Sequence, residues 1–256
     1  MRVNQQRAYE VWTEAANRDS IESKYCRAVC LRQGTGVPIN VSEAYSEMKE
    51  LADKHNYGLA HYAMGIMLNT GEGVEEDKEQ AFHYFNKAAG AGIVPAAHNL
   101  ANAYAHGIGV QKDEKIAIIY YEAGCECGDP AAKFTFGTWL YRGYGGLTVD
   151  KKRAFQLQLE AAEAGHPGAM FNTGGAYMEG EAVEQDFVQA AEWFEKAAER
   201  NIIEANVNLG NLYRVGFKGI PKDLHKALEI LSRHAAYHEV SAELVKDVEE
   251  EIASLK

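Results

Sequence analysis

Four cysteines and nine histidines are the residues best suited to chemistry in this chain. Cys26 and Cys30 are one helical turn apart and could share a face, which gives two metal ligands where a structural zinc site needs four. Cys125 and Cys127 are too close in sequence for an ordinary disulfide. None of the histidines belongs to a His-Glu-x-x-His pair or a nucleophile elbow. His98 and His106 are eight residues apart on one predicted helix, with no third ligand and no paired base, and read as helix-surface residues. The expectation is no catalytic site, no metal and no cofactor, with the cysteines serving as reduced, small apolar side chains.

Glycine is the next signal. Gly-x-Gly-Val begins at Gly34, Gly71 and Gly107, with looser versions at Gly143, Gly180 and Gly216. A phosphate loop would follow a strand and end in Lys-Ser/Thr, and these do neither. Their steps are 37, 36, 36, 37 and 36 residues, a regularity that marks a repeat. Six residues before each motif is a small residue: Ala28, Gly65, Ala101, Gly137, Gly174 or Gly210. Three further on is Leu31, Leu68, Tyr104, Leu140, Tyr177 or Tyr213. Beyond the motif come Ala44, Ala81, Ala117, Ala154, Ala190 and Ala227, followed by Met48, Tyr84-Phe85, Tyr120-Tyr121, Leu157, Trp193-Phe194 and Ile230-Leu231.

Offsets of three, four and seven are helical, so each copy reads as two helices, A and B, joined by a glycine turn. The small residue admits a neighbouring helix. The aromatic pairs keep a constant register, which reads as core and not as a stacking platform. Four residues before each helix B alanine is Asn40, Asp77, Asp113, Asp150, Asp186 or Asp223, an N-cap position. The fifth copy has Ala182 in place of the second glycine. The expected organisation is one repeat domain, 1–256. A half-repeat helix (1–20) precedes six repeats at 21–56, 57–92, 93–128, 129–165, 166–201 and 202–238. A capping helix (239–256) covers the last apolar face and turns Glu249-Glu250-Glu251 to water.

The charge of -11 argues against nucleic acid. No apolar run is long enough to span a bilayer, and no signal-peptide core is evident at the start. The expected location is cytoplasmic.

Gly71-Glu72-Gly73-Val74-Glu75-Glu76-Asp77, with Ala81, Tyr84 and Lys87-Ala88-Ala89, resembles the Sel-1-like repeat, as do Leu209-Gly210-Asn211-Leu212-Tyr213 and Lys196-Ala197-Ala198. The resemblance spans nearly the whole chain. It implies an all-α, right-handed solenoid of stacked antiparallel helix pairs, like tetratricopeptide arrays. It also implies a scaffold or adaptor that binds proteins or peptide segments. Cysteine-rich, secreted relatives staple helix B to the next helix A. Cys125 has that helix B position, but the facing region holds Ala131 and Ala132, so no bridge is expected. Some of those relatives are linked to penicillin hydrolysis, which makes a hydrolase the alternative function.

Such solenoids expose helix A along a concave side. Counting the small residue as zero, positions -2, +1, +2 and +5 point away from the core by helical angle. They give Ile66 and Met67, then Asn99, Asn102 and His106, then Trp139 and Arg142, then Asn172, then Asn208 and Asn211. The expected groove holds a peptide with Trp139 as anchor and the asparagines as backbone clamps.

Overall fold

A computed structural model describes residues 2–236 and 238–254; residues 1, 237, 255 and 256, the last two at the end of the expected cap, lie outside the described residues. Contacts divide the chain into two compact units, Met1–Asp129 and Pro130–Lys256. The first holds α1 (Arg2–Ala16), α2 (Ile21–Gln33), α3 (Val41–His55), α4 (Gly58–Thr70), α5 (Lys78–Gly90), α6 (Val94–His106) and α7 (Glu114–Glu126). The second holds α8 (Pro130–Arg142), α9 (Lys151–Glu163), α10 (Pro167–Glu179), α11 (Phe187–Glu199), α12 (Ile203–Val215), α13 (Leu224–Ser232) and α14 (Glu239–Ser254). Among the described residues there is no strand, and the sole extended pairing is an isolated bridge between Phe217 and Ile220.

The same local devices build every helix pair. At all six expected N-caps the side chain accepts a backbone N–H of its own helix B. The cap residue's own N–H donates back to helix A, from Asn40 to Leu31, Asp77 to Leu68, Asp113 to Tyr104, Asp150 to Leu140, Asp186 to Tyr177 and Asp223 to Tyr213, at 2.8–3.0 Å. One residue thus starts helix B and ties it to the end of helix A, which satisfies backbone groups a helix leaves open at both termini.

The small position in helix A makes room for a bulky residue on its own helix B. A Cβ at Gly65 would lie 2.6 Å from the Phe85 ring, at Gly174 2.8 Å from Phe194, and at Gly210 2.6 Å from Leu231. The second turn glycine does more than accept a left-handed φ. A Cβ at Gly73 would lie 2.6 Å from the carbonyl oxygen of Val41, and at Gly109 2.0 Å from that of Lys78. These two turns therefore seat directly on the first residue of the previous helix B, an approach only glycine permits.

Each unit has its own apolar core. In the first, Met48, Leu51, Met64, Met67, Leu68, Phe85 and Leu100 cluster. In the second, Met170, Trp193, Phe194, Leu209, Leu212 and Ile230 do. Val248 on α14 is buried against Leu224 and Leu231, with Leu244, Val245 and Ile252 beside it. Glu249 and Glu250 face water. Glu251 does not: it pairs with Arg214 at 2.5 Å and with Lys222 at 3.4 Å, so the acidic run also fastens the cap to α12.

Candidate partner-binding surface

The helix A surface is narrower than the sequence wheel implies. Position +2 is buried at Cys30, Met67, Ala103, Trp139 and Leu212. Met67 has no accessible surface and belongs to the first unit's core, and Trp139 is 7% exposed with its ring edge-on to Tyr144. Both were expected in the groove, and both are packing residues instead. A surface helix buries one stripe, but helix A in a stack is covered on its flanks as well. Offset +2 lies at the margin of the exposed arc and is lost to that packing. Positions +1 and +5 remain at least partly accessible, as does -2 except at the buried Ala63, and Ile66, at +1, is half-buried against the core.

In the first unit, Asn99, Asn102 and His106 converge on a cavity of about 360 Å³ with Asn69, Lys78 and Phe82. Two of its amides, Asn99 and Asn102, are already engaged. Asn99 Nδ2 donates to the Pro95 carbonyl at 3.1 Å and to Tyr62 Oη at 3.4 Å. Asn102 Oδ1 accepts from Tyr121 Oη at 2.6 Å, and its Nδ2 lies 3.2 Å from His98 Nε2. Tyr121 is fully buried, and burial drives its phenol well above the ordinary tyrosine value. Asn102 therefore serves chiefly to satisfy a buried hydroxyl.

In the second unit, Arg142, Asn172 and Asn208 converge on a cavity of about 250 Å³ formed by α8, α9, α10 and α12. It occupies the same register as the first. Lys151, Phe155 and Asn172 stand where Lys78, Phe82 and Asn99 stand. The side chains of Asn172 and Asn208 make no hydrogen bond among the described residues. Arg142 Nη1 donates to Tyr144 Oη at 3.2 Å, with its guanidinium over that ring. Asn211, on the same helix as Asn208, is half-exposed and does not line the cavity.

Two features of this cavity were not read as site features from the sequence. Gln158 is buried at a helix B position held elsewhere by Met48, Phe85, Tyr121, Phe194 and Leu231. Its Nε2 donates to the Phe134 carbonyl at 2.9 Å and to Thr138 Oγ1 at 3.2 Å, while its Oε1 finds no donor among the described residues. The signal was available, because Gln is the one amide at a position otherwise filled by large apolar or aromatic residues. The second feature is Ala182, which lines the cavity where other copies have the second turn glycine. An alanine cannot make the backbone approach seen at Gly73 and Gly109. Across this gap, Lys151 pairs with Glu181 of the turn and lies over the Tyr141 ring. The pair holds Glu181 below the ordinary carboxylate range and Lys151 above the ordinary lysine value. The first unit has a cross-repeat ion pair of the same kind, Arg32 to Glu72 at 2.6 Å, in a two-pronged geometry.

All four cysteines are thiols, and burial pushes those of Cys26 and Cys30 up. Among the described residues no group of three or more His, Cys, Asp or Glu side chains is placed to hold a metal ion. No described helix is long and apolar enough to cross a membrane.

Capped helix pairs at one register, stacked through small-residue contacts, define an all-α solenoid repeat protein. The Sel1 repeat pattern matches residues 23–46, 58–93, 94–129, 137–166, 167–202 and 203–235, and the chain belongs to the Sel1 repeat family. Chitin synthase regulatory factor 2 of Schizosaccharomyces pombe is 30% identical over 244 residues, covering 90% of this chain and 47% of that protein. Chitin synthase regulator SKT5 of Saccharomyces cerevisiae is 26% identical over 268 residues, covering 85% of this chain and 38% of that one. The chain thus spans half or less of the length of these relatives. The crystal structure of a Sel1 repeat protein from Oxalobacter formigenes superposes with a TM-score of 0.78 at 28% identity, covering 86% of this chain and 89% of that one.

Proposed function

We propose that this chain is a non-catalytic, cytoplasmic adaptor that binds partner proteins by holding an extended segment on the helix A surface of its second unit. The observation that carries the reading is the pair of unengaged amides, Asn172 and Asn208, on adjacent helices A at the rim of one cavity. An extended backbone presents alternating donors and acceptors, and an amide side chain can meet one of each. In the first unit Asn99, the register equivalent of Asn172, is held by Tyr62 and the Pro95 carbonyl, and Asn102 by Tyr121 and His98, so the second unit is the better platform. The relatives described as regulators of chitin synthase support a role exercised through binding to another protein.

The test is affinity capture from the native source, with the wild type compared to the double variant Asn172→Ala and Asn208→Ala. Both side chains are partly exposed and have no hydrogen-bond partner among the described residues, so melting is expected to change little. Partners that depend on this surface are expected to be lost from the double variant. Retention of every captured protein would refute the assignment.

A further inference from the structure

Two glycines adjoin in the middle of α10, and only one has a packing reason to be glycine. Gly174 faces Phe194, but a Cβ at Gly175 would meet nothing within 4 Å. The same register position carries Val29, Ile66, Asn102, Thr138 and Asn211 in the other copies. Glycine inside a helix is disfavoured relative to residues with side chains, because its backbone loses the most freedom on folding. At Gly175 the missing side chain leaves bare helix backbone in the wall of the second unit's cavity. Ala182 is a second departure from the repeat pattern, in a separate segment, and it bears on the same hollow.

The remaining walls specify an occupant. Phe155, Phe171 and Met178 line the cavity, with Arg142 among its polar groups. Aromatic rings and a thioether interact with a further ring beyond simple area burial, and a guanidinium adds attraction to a ring face. A volume of about 250 Å³ is less than the roughly 300–1,000 Å³ of pockets for drug-sized ligands and cofactors. It suits a single inserted side chain. We infer that this cavity receives one aromatic side chain of the bound segment, which lies against the bare backbone at Gly175. The inference rests on the adaptor reading above and names the residue class that the surface recognises.

The test uses dodecapeptides selected by phage display on the full chain. Their dissociation constants are measured on the wild type, on Gly175→Met, and on the double variant Asn172→Ala, Asn208→Ala. The new methionine projects into open space and is a better helix former, so Gly175→Met is expected to melt no lower than the wild type. Selected peptides are expected to share an aromatic residue. Replacing it with alanine, or using Gly175→Met, is expected to weaken binding at least about tenfold. Peptides that lose nothing when the aromatic is replaced, or that bind Gly175→Met like the wild type, would overturn the inference. If those same peptides fail on the double asparagine variant, the cavity is excluded and the groove stands. Equal binding to all three proteins, or the absence of any selected peptide, would remove both. The peptide substitutions carry the test even where a protein variant folds poorly.

Discussion

Alanine at Gly109 and alanine at Gly175 are expected to change stability in opposite directions, although the substitution is the same. Gly109 has φ +68°, and its added Cβ would lie 2.0 Å from the Lys78 carbonyl oxygen and 2.5 Å from its carbon. The left-handed backbone costs an L-residue about 1–2 kcal/mol. The overlap is with backbone, which cannot swing aside, so the turn must lift from the start of α5. Forced repacking of that kind costs about 1–3 kcal/mol. Together the loss is roughly 2–5 kcal/mol, a large part of a typical folding free energy. Gly175 lies inside a helix with open space around the new atom, and alanine there is expected to gain up to about 1 kcal/mol. Urea titration followed by far-ultraviolet circular dichroism would give both midpoints. Amide hydrogen exchange would localise each change, since repeat arrays need not unfold in one step. An unchanged midpoint for Gly109→Ala, with α5 and α6 protected as before, would refute the idea that the second glycine seats the turn. A shift of both variants in the same direction would refute the contrast.

Three further outcomes are expected. Gln158→Leu gives up two donated bonds but removes the buried acceptor Oε1, which has no donor; a stability gain of up to about 1 kcal/mol in urea titration is expected, and a loss beyond that size would show that the amide is needed for packing. His61 is buried, with Nε2 2.8 Å from Asn56 Oδ1 and Nδ1 unpartnered among the described residues; burial first and then Lys87 lower its pKa, against Asp53, with His83 adding to the lowering. The unfolded chain therefore takes up a proton near pH ~6.5 that the folded chain refuses, so stability should fall as pH drops below that point, and His61→Met should flatten the fall; identical melting-temperature profiles from pH 7 to pH 5 would count against it. Titration of the denatured, unreduced protein should find four reactive thiols, and a count of two or none would contradict the unbridged state.

The helix pairs were legible because their determinants are local. Asn40 and the five aspartates cap through bonds to their own next turn, and their spacing appears in one dimension. The small positions were legible because a Gly65 facing a Phe85 repeats as Gly174 facing Phe194. What escaped depends on neighbours that an isolated helical wheel lacks. Trp139 and Met67 fall on the outward arc of an isolated wheel, and both are buried in the stack. Asn99 reads like Asn172, yet Tyr62 and the Pro95 carbonyl engage the first and no described residue engages the second. Gly175 reads like its neighbour Gly174 until the surrounding atoms are known. A strict column-by-column comparison of the copies would have exposed Gln158, whose column is otherwise Met, Phe, Tyr, Phe and Leu, and the absent side chain at Gly175, whose column is otherwise Val, Ile, Asn, Thr and Asn.

Site-specific photo-crosslinking tests the central claim most directly. A photoreactive phenylalanine analogue is placed at Asn172 in one protein and at the exposed Glu192, on helix B, in another, and each is irradiated with the captured partner bound. The account predicts covalent partner adducts from position 172 and none from position 192. Adducts from 192 with none from 172 would contradict it and would move the binding surface off helix A.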